Sequence, residues 1–261
     1  YVGNWLKDKR QGKGKYTYSN GAFYDGQWAD DQKSGKGFFA WGDGTTYDGM
    51  WLNNQRSGKG TNKYADGDVY TGEWLNDIQN GKGIYRFQNG DVYEGDYVQG
   101  ERTGEGIFKY ANGDRYTGRF YEGDRQGLGT FVWNNGDKYE GNWKNDVQNG
   151  RGKLTKKSGD VFEGNFVNGR IDGEVIIHYA DGSRFKGIYS NGMRNGKAIE
   201  EDKDGQERIN RINYEICVLQ TLRECLQCKE IWVVGAQRYR IQRPWGALPE
   251  DALFYARQRG L

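Results

Sequence analysis

"YEGNWKNDVQNGRGK", from Tyr139 to Lys153, alternates the bulkiest side chains with none at all. Tyr139, Gly141 and Trp143 stand at every second position, and Gly150 and Gly152 follow after a polar stretch. The same grammar occurs 23 residues earlier as "YTGRFYEGDRQGLGT" from Tyr116, and 23 earlier again as "YEGDYVQGERTGEGI" from Tyr93. The full series of starts is Tyr1, Tyr24, Tyr47, Tyr70, Tyr93, Tyr116, Tyr139, Phe162 and Phe185, without an insertion. Nine units of 23 residues therefore fill residues 1–207. A fixed period of this size marks a repeat architecture, and it overrides the one or two globular domains that length alone would imply.

Each unit can be counted from its aromatic start as offset 0. Offsets 0, 2 and 4 read aromatic, glycine, aromatic, as in Tyr24-Gly26-Trp28, and this period of two predicts a strand with one apolar face. A six-residue loop is expected next. A second strand then carries glycine at offset 11 in all nine units and at offset 13 in seven, with rings or aliphatics at offsets 15 and 17. Offsets 19 and 20 read Asn-Gly, Asp-Gly or Ser-Gly throughout, which predicts a two-residue type I′ turn with both central residues at positive φ. The units thus form a meander of hairpins. Glycines at offsets 2, 11 and 13 would leave bare floor on the apolar face, over which a ring from the neighbouring strand lies flat. Such a sheet makes its core from its own side chains, consistent with only 35% hydrophobic residues and a mean hydropathy of −1.01. The offset-4 residues Trp5, Trp28, Trp51, Trp74, Tyr97, Phe120 and Trp143 are therefore read as a structural aromatic face in preference to a ligand-stacking surface.

Y-x-G-x-W, a loop, G-x-G and a D/N-G turn on a 23-residue period resemble the MORN repeat (membrane occupation and recognition nexus), and the match covers residues 1–207. The resemblance implies an all-β fold, an elongated single-layer antiparallel sheet with a twisted, groove-like aromatic face. Two strands per unit at about 4.8 Å would give a ribbon on the order of 85 Å long. Members of that family serve as scaffolds, dimerisation modules or arms beside a catalytic domain, and phospholipid binding has been proposed for several; the repeats themselves carry no catalytic machinery. The last units depart from the pattern: offset 13 becomes Val175 and Ala198, and Glu200 and Asp202 stand where rings are expected. Terminal repeats are commonly atypical, so the array is expected to end there.

Composition divides the chain at the same place. Of 42 glycines, 39 precede residue 208, and Cys217, Cys225 and Cys228 all follow it. The array carries 29 Lys and Arg against 31 Asp and Glu, a net of −2; residues 208–261 carry 9 against 5, a net of +4, and the two sum to +2. A near-neutral array is not marked for nucleic acid. No apolar run approaches membrane-spanning length, and a cytoplasmic protein, peripheral to a membrane at most, is expected. The chain opens at Tyr1 on a repeat and without Met, so an upstream portion is expected.

Chemistry is scarce. His178 is the sole histidine and reads as a solvated surface residue, the acids lie on loops or the polar face, and Gly104-Glu105-Gly106 lacks the following helix that a phosphate loop needs. No catalytic residue, cofactor or metal is expected. Offsets 9 and 12 do carry a cationic series, densest in the first units: Arg10, Lys13, Lys33, Lys36, Arg56, Lys59 and Lys82. Solubility and edge protection explain it most simply; a ladder for anionic headgroups or an acidic partner is the sharper alternative.

From Arg208 the period stops. Ile216, Leu219, Leu222 and Leu226 predict an amphipathic helix over about 212–227, placed to cap the array, and "EIWVV" from Glu230 reads as a short strand, giving a small α/β tail. Residues 208–240 resemble a segment of the transposon-three type of replicative transposase, as in a fusion or gene junction. Cys225 and Cys228 form a C-x-x-C without a second pair, which makes a zinc site improbable. The leading expectation is a non-enzymatic MORN scaffold for a protein partner, a second copy of itself included. A peripheral membrane adaptor binding anionic phospholipid comes second, and a transposase-related DNA-binding protein third.

Overall fold

The computed structural model describes residues 1–212, 230–233 and 237–240. Residues 1–212 form one open antiparallel sheet of 19 strands, in which every strand pairs with its sequence neighbours, from Val2–Leu6 to Glu207–Ile212. No helix occurs among the described residues. The all-β, single-layer reading holds.

The fourth unit shows how 23 residues make two strands. Val69–Leu75 runs into Ile78–Arg86 through Asn76 and Asp77 alone, with φ of 49° and 67°. Two successive residues at positive φ make the type I′ turn whose twist matches the strands. The expected six-residue loop is therefore a two-residue turn, and the second strand begins at offset 8. The extra length is taken up in a bulge, since Gly72 pairs with Gly83 but Trp74 pairs with Gln79. Gly81 sits in that bulge at φ 91°, and its counterparts at offset 11 are all positive as well. Offset 11 is glycine because the bulge needs a left-handed residue, not to bare the floor for a ring.

The Asn-Gly and Asp-Gly signals belong to a different turn from the one the sequence predicts. Gly90 N–H donates to the Phe87 carbonyl at 3.0 Å, and Phe87 N–H to the Asp91 carbonyl at 2.9 Å. The loop is thus three residues long, and only its glycine (Gly90, φ 94°) takes positive φ. Asn89 serves through its side chain instead, its Oδ1 accepting from Asp91 N–H at 3.0 Å.

Glycines at offsets 2 and 13 form a continuous row across the sheet: Gly26 pairs with Gly14 and Gly37, Gly49 with Gly37 and Gly60, and so on to Gly152 and Gly164. The offset-0 tyrosine lies flat over this row. A Cβ on Gly37 or Gly26 would run into the Tyr24 ring. The ring thus covers the glycine two places on in its own strand as well as that of the neighbouring strand, where the sequence suggested only a neighbour's ring. Each ring is pinned by its hydroxyl, as when Tyr24 Oη donates to the Gln27 carbonyl at 2.9 Å and Tyr139 Oη to that of Asn142 at 3.0 Å. Tyr24, Tyr47, Tyr70, Tyr93, Tyr116 and Tyr139 are all fully buried, on a sheet with no second layer.

Offset-4 rings stand edge-on between successive tyrosines. Trp51 makes T-shaped contacts with Tyr47 at 5.2 Å and with Tyr24 of the preceding unit at 5.5 Å. Its Nε1 donates to the Gly37 carbonyl at 3.1 Å. The same alternation runs unbroken from Tyr1–Trp5 to Tyr139–Phe166. There it ends: Val175 occupies the glycine row, and Val175, Ile177, Phe185 and Ala198 form a separate cluster.

Beyond residue 207 the sheet gains one more strand, since Glu207–Ile212 pairs with Met193–Glu201 after the Asp204-Gly205 turn. The helix expected over about 212–227 and its capping role fall on residues 213–229, outside the described residues. The short strand expected in "EIWVV" is present as Glu230–Val233, paired with Gln237–Arg240.

Two outcomes follow. Gly95→Val places a side chain against the Tyr93 ring and the Glu105 carbonyl, so thermal denaturation should register a loss of about 3 kcal/mol or more, overpacking and ring displacement adding; unaltered stability would sink the flat-ring arrangement. The phenols titrate late because burial favours their neutral form, with Tyr47 and Tyr139 pushed up to about 12. Raised folded-state values leave stability intact below pH 10 and erode it from there through about 12. Melting temperature and tyrosinate absorbance should therefore change together in that window; titration near 10 in the folded chain would contradict the burial.

Candidate functional site

The cationic series divides between the two faces of the sheet. Offset 9 lies opposite offset 4 of its own unit, as Arg56 pairs with Trp51, so Arg10, Lys33 and Arg56 are on the aromatic face. Each also covers the offset-4 ring of the next unit: Arg10 over Trp28 at 4.3 Å, Lys33 over Trp51 at 4.2 Å and Arg56 over Trp74 at 4.2 Å. Where the next unit offers aspartate at offset 7, the guanidinium is clamped. Arg56 Nε donates to Asp77 Oδ1 at 3.1 Å and Arg56 Nη2 to the Asp77 carbonyl at 2.9 Å, with Arg56 N–H joining the same carboxylate at 2.9 Å. Arg10 with Asp31 and Arg125 with Asp146 repeat the pattern. The backbone N–H of Arg10, then its guanidinium, holds Asp31 below the usual carboxylate range, and burial pulls the Lys33 ammonium down. These three cations staple one unit to the next and are not free for an anionic surface.

Lys13, Lys36, Lys59 and Lys82 lie at offset 12, on the opposite face, and all four are exposed. The glycine row separates two lines of side chains there. Asp48, Thr61, Thr71, Ile84, Glu94 and Ile107 form one wall, Lys36, Met50, Lys59, Glu73, Lys82 and Glu105 the other, and Gly49, Gly60, Gly72, Gly83, Gly95 and Gly106 line the trough between them, about 810 Å³ in volume. Part of the charge is already paired: Lys82 meets Asp96, and Arg119 meets Glu105 at 3.0 Å. Exposed pairs of this kind contribute little to stability, so they remain available for exchange with a partner's charges.

The aromatic face carries a smaller hollow of about 460 Å³ among Trp133, Leu154, Phe166 and Ile171, where Lys156 interrupts the offset-17 rings. Sequence reasoning also missed a loop-edge ladder. Asp68, Asp91, Asp114, Asp137 and Asp160 each accept, through Oδ1, the backbone N–H of a residue 20 further on, at 2.7–2.9 Å. The recurrence of aspartate after the turn glycine was its signal. Trp5 is half-exposed, while the other offset-4 rings from Trp28 to Trp143 are buried, which gives them a packing role. Buried Asn62 stands where every other unit but the last places a ring or an aliphatic, and its Oδ1 accepts from Arg56 Nη1 at 3.0 Å. Among the described residues no group of His, Cys, Asp and Glu is arranged to hold a metal ion.

A family model described as "MORN repeat" matches residues 1–23, 24–46, 47–69, 70–92, 93–115, 116–138, 139–161, 162–184 and 185–207. The matches stop at 207, and the transposase-like reading of 208–240 gains no support from them. No curated protein matches the chain. Among solved structures, the TCP domain of SAS-4 from Drosophila melanogaster, in complex with a proline-rich motif of Ana2, is 18% identical, with 59% of this chain and 84% of that one covered and a TM-score of 0.41. The wild-type TCP10 domain of Danio rerio CPAP is 14% identical, with 76% and 99% covered and a TM-score of 0.38.

The division of the cations makes a direct contrast. Arg56→Ala removes the clamp on Asp77 and the cover on Trp74, and calorimetry should show a loss of about 2 kcal/mol. Lys59→Ala, on the other face, should stay within about 0.5 kcal/mol of the parent. Equal effects would refute the assignment of the two rows to different roles.

Proposed function

Given that this chain belongs to the MORN-repeat family, we propose that it is a non-enzymatic scaffold that holds a segment of a protein partner along the trough on its non-aromatic face. The observation that carries the reading is the trough itself. It runs along the array axis, crosses successive strands, and is floored by glycine backbone whose hydrogen bonds are already made within the sheet. Its walls mix methyl-bearing and charged side chains, which is the composition of a recessed surface that reads a polypeptide more than of one that holds a compact metabolite. The aromatic face is spent on the core and its staples, so recognition falls to the other side.

A second copy of the chain is one polypeptide that could supply the segment. The phospholipid-adaptor reading draws less support. It relied on seven cations acting together, and three of them are bound to rings on the opposite face. Of the lysines that remain, Lys36, Lys59 and Lys82 share the trough with Asp48, Glu73 and Glu94, which would repel a uniformly anionic surface.

The test is selection of binding peptides from a random displayed library with the whole chain as target. Selected peptides should lose at least tenfold in affinity when the trough is filled by Thr71→Trp, while Tyr18→Ala on the aromatic face leaves them unaffected. Peptides indifferent to Thr71→Trp would overturn the proposal.

A further inference from the structure

The trough's dimensions restrict what can lie in it. Its walls are residues at offsets 1 and 3 of the same strand, with one glycine between, so their Cα rows are about 6.6–6.8 Å apart. An α-helix, at about 10–12 Å across, rides above such a cleft and cannot reach the glycine floor. An extended chain can.

The lysine row then sets a period. Lys13, Lys36 and Lys59 stand at offset 12 of successive units, two strands apart, or about 9.6 Å along the array. All three are exposed, and none makes an ion pair among the described residues. Further along the same wall Lys82 is paired with Asp96 and Arg119 with Glu105. Among the described residues the first three units hold a run of three successive offset-12 lysines outside any ion pair, with Glu73 standing opposite Lys59, whereas Arg151 and Lys197 stand singly at that offset. A polyproline II chain repeats every three residues and rises about 9.3 Å in doing so, and therefore presents the same side at nearly each lysine. A β-strand covers a similar distance in three residues, but its third side chain points to the opposite face. An α-helix would need between six and seven residues per step and comes back out of phase.

Resting on the proposed protein-binding role, we infer that the partner segment is an extended, polyproline II-like polypeptide carrying a carboxylate at every third residue, in register with Lys13, Lys36 and Lys59. The opposite wall favours a peptide over a bilayer as the source of negative charge. Asp48 lies at offset 1 on the wall across the trough from Lys36 and Lys59, Asp25 and Lys13 hold the matching offsets just beyond the end of the trough, and a membrane would press anions against both rows at once. A peptide with period three turns its carboxylates to one wall and its small or apolar residues to the other.

The experiment uses the full chain and two labelled peptides of identical composition, followed by fluorescence anisotropy at low ionic strength. One has four Glu-Pro-Pro triplets; the other has its four glutamates contiguous. The triplet peptide should bind at least tenfold tighter, and the advantage should disappear when Lys13→Gln, Lys36→Gln and Lys59→Gln are combined, with melting temperature unchanged. Equal affinity for the two peptides, or binding of neither, would overturn the inference. So would lysine-dependent binding to vesicles of mixed phosphatidylserine and phosphatidylcholine in the absence of any triplet preference. If the triplet peptide fails while library-selected peptides still depend on Thr71, the period-three inference alone falls and the trough keeps its role.

Discussion

A tyrosine ring laid flat on paired glycines is the interaction on which this sheet depends. A single-layer sheet normally has nothing to bury its apolar side chains against. Here the absence of Cβ atoms at offsets 2 and 13 lets each ring sink onto backbone, and the hydroxyl reaches past the glycine to a carbonyl of its own strand. Large aromatic area is thereby removed from water without a second layer, and the edge-on offset-4 rings fill the gaps between successive tyrosines. Every other feature of the unit serves this contact: the bulge at offset 11 and the two short turns bring the glycines of adjacent strands into register.

Charge has a corresponding division of labour. On the aromatic face the offset-9 cations lie over rings, and Arg10, Arg56 and Arg125 are also held by a neighbouring aspartate, so that they act as fasteners between units. On the other face the offset-12 lysines are solvated and line a recess. The two-residue turn makes this division: it sets the offset-9 residue opposite the offset-4 ring, within reach of the next unit's turn, while offset 12, three residues on, faces the other way.

Much of this was legible in the residues. The period, the strand-forming alternation, the all-β sheet and the packing role of the rings follow from spacing and side-chain size, because a two-residue alternation has few other uses. The local backbone was not legible in the same way. Asn-Gly is the stronger type I′ signal, yet the type I′ turns fall on pairs such as Lys7-Asp8 and Asn76-Asp77, while the Asn-Gly pairs close three-residue loops. Register imposed by the glycine row outweighs the preference of a single lysine for negative φ. The division of the cations was hidden because offset 9 fell within the expected six-residue loop, where alternation assigns no face; once the strand begins at offset 8, offsets 9 and 12 point to opposite sides by parity alone. Residues 208–240 suggested a borrowed segment, and the repeat matches end before them.

The interruption of the ring spine at Phe166 gives the array a direction. From Tyr1 to Phe166 each unit is locked to the next by the same edge-on contact, so opening any internal unit must break two such contacts and the stretch should behave as one cooperative block. Past that point Val175 and Ala198 replace glycine, Phe162 and Phe185 replace tyrosine, and the phenolic pins are gone. Amide protons in that end would exchange first, with protection rising unit by unit toward the block, so the sheet frays like a zipper with a loose last tooth. A scaffold built this way holds its binding trough, which lies wholly within the locked units, at constant pitch while one end gives way.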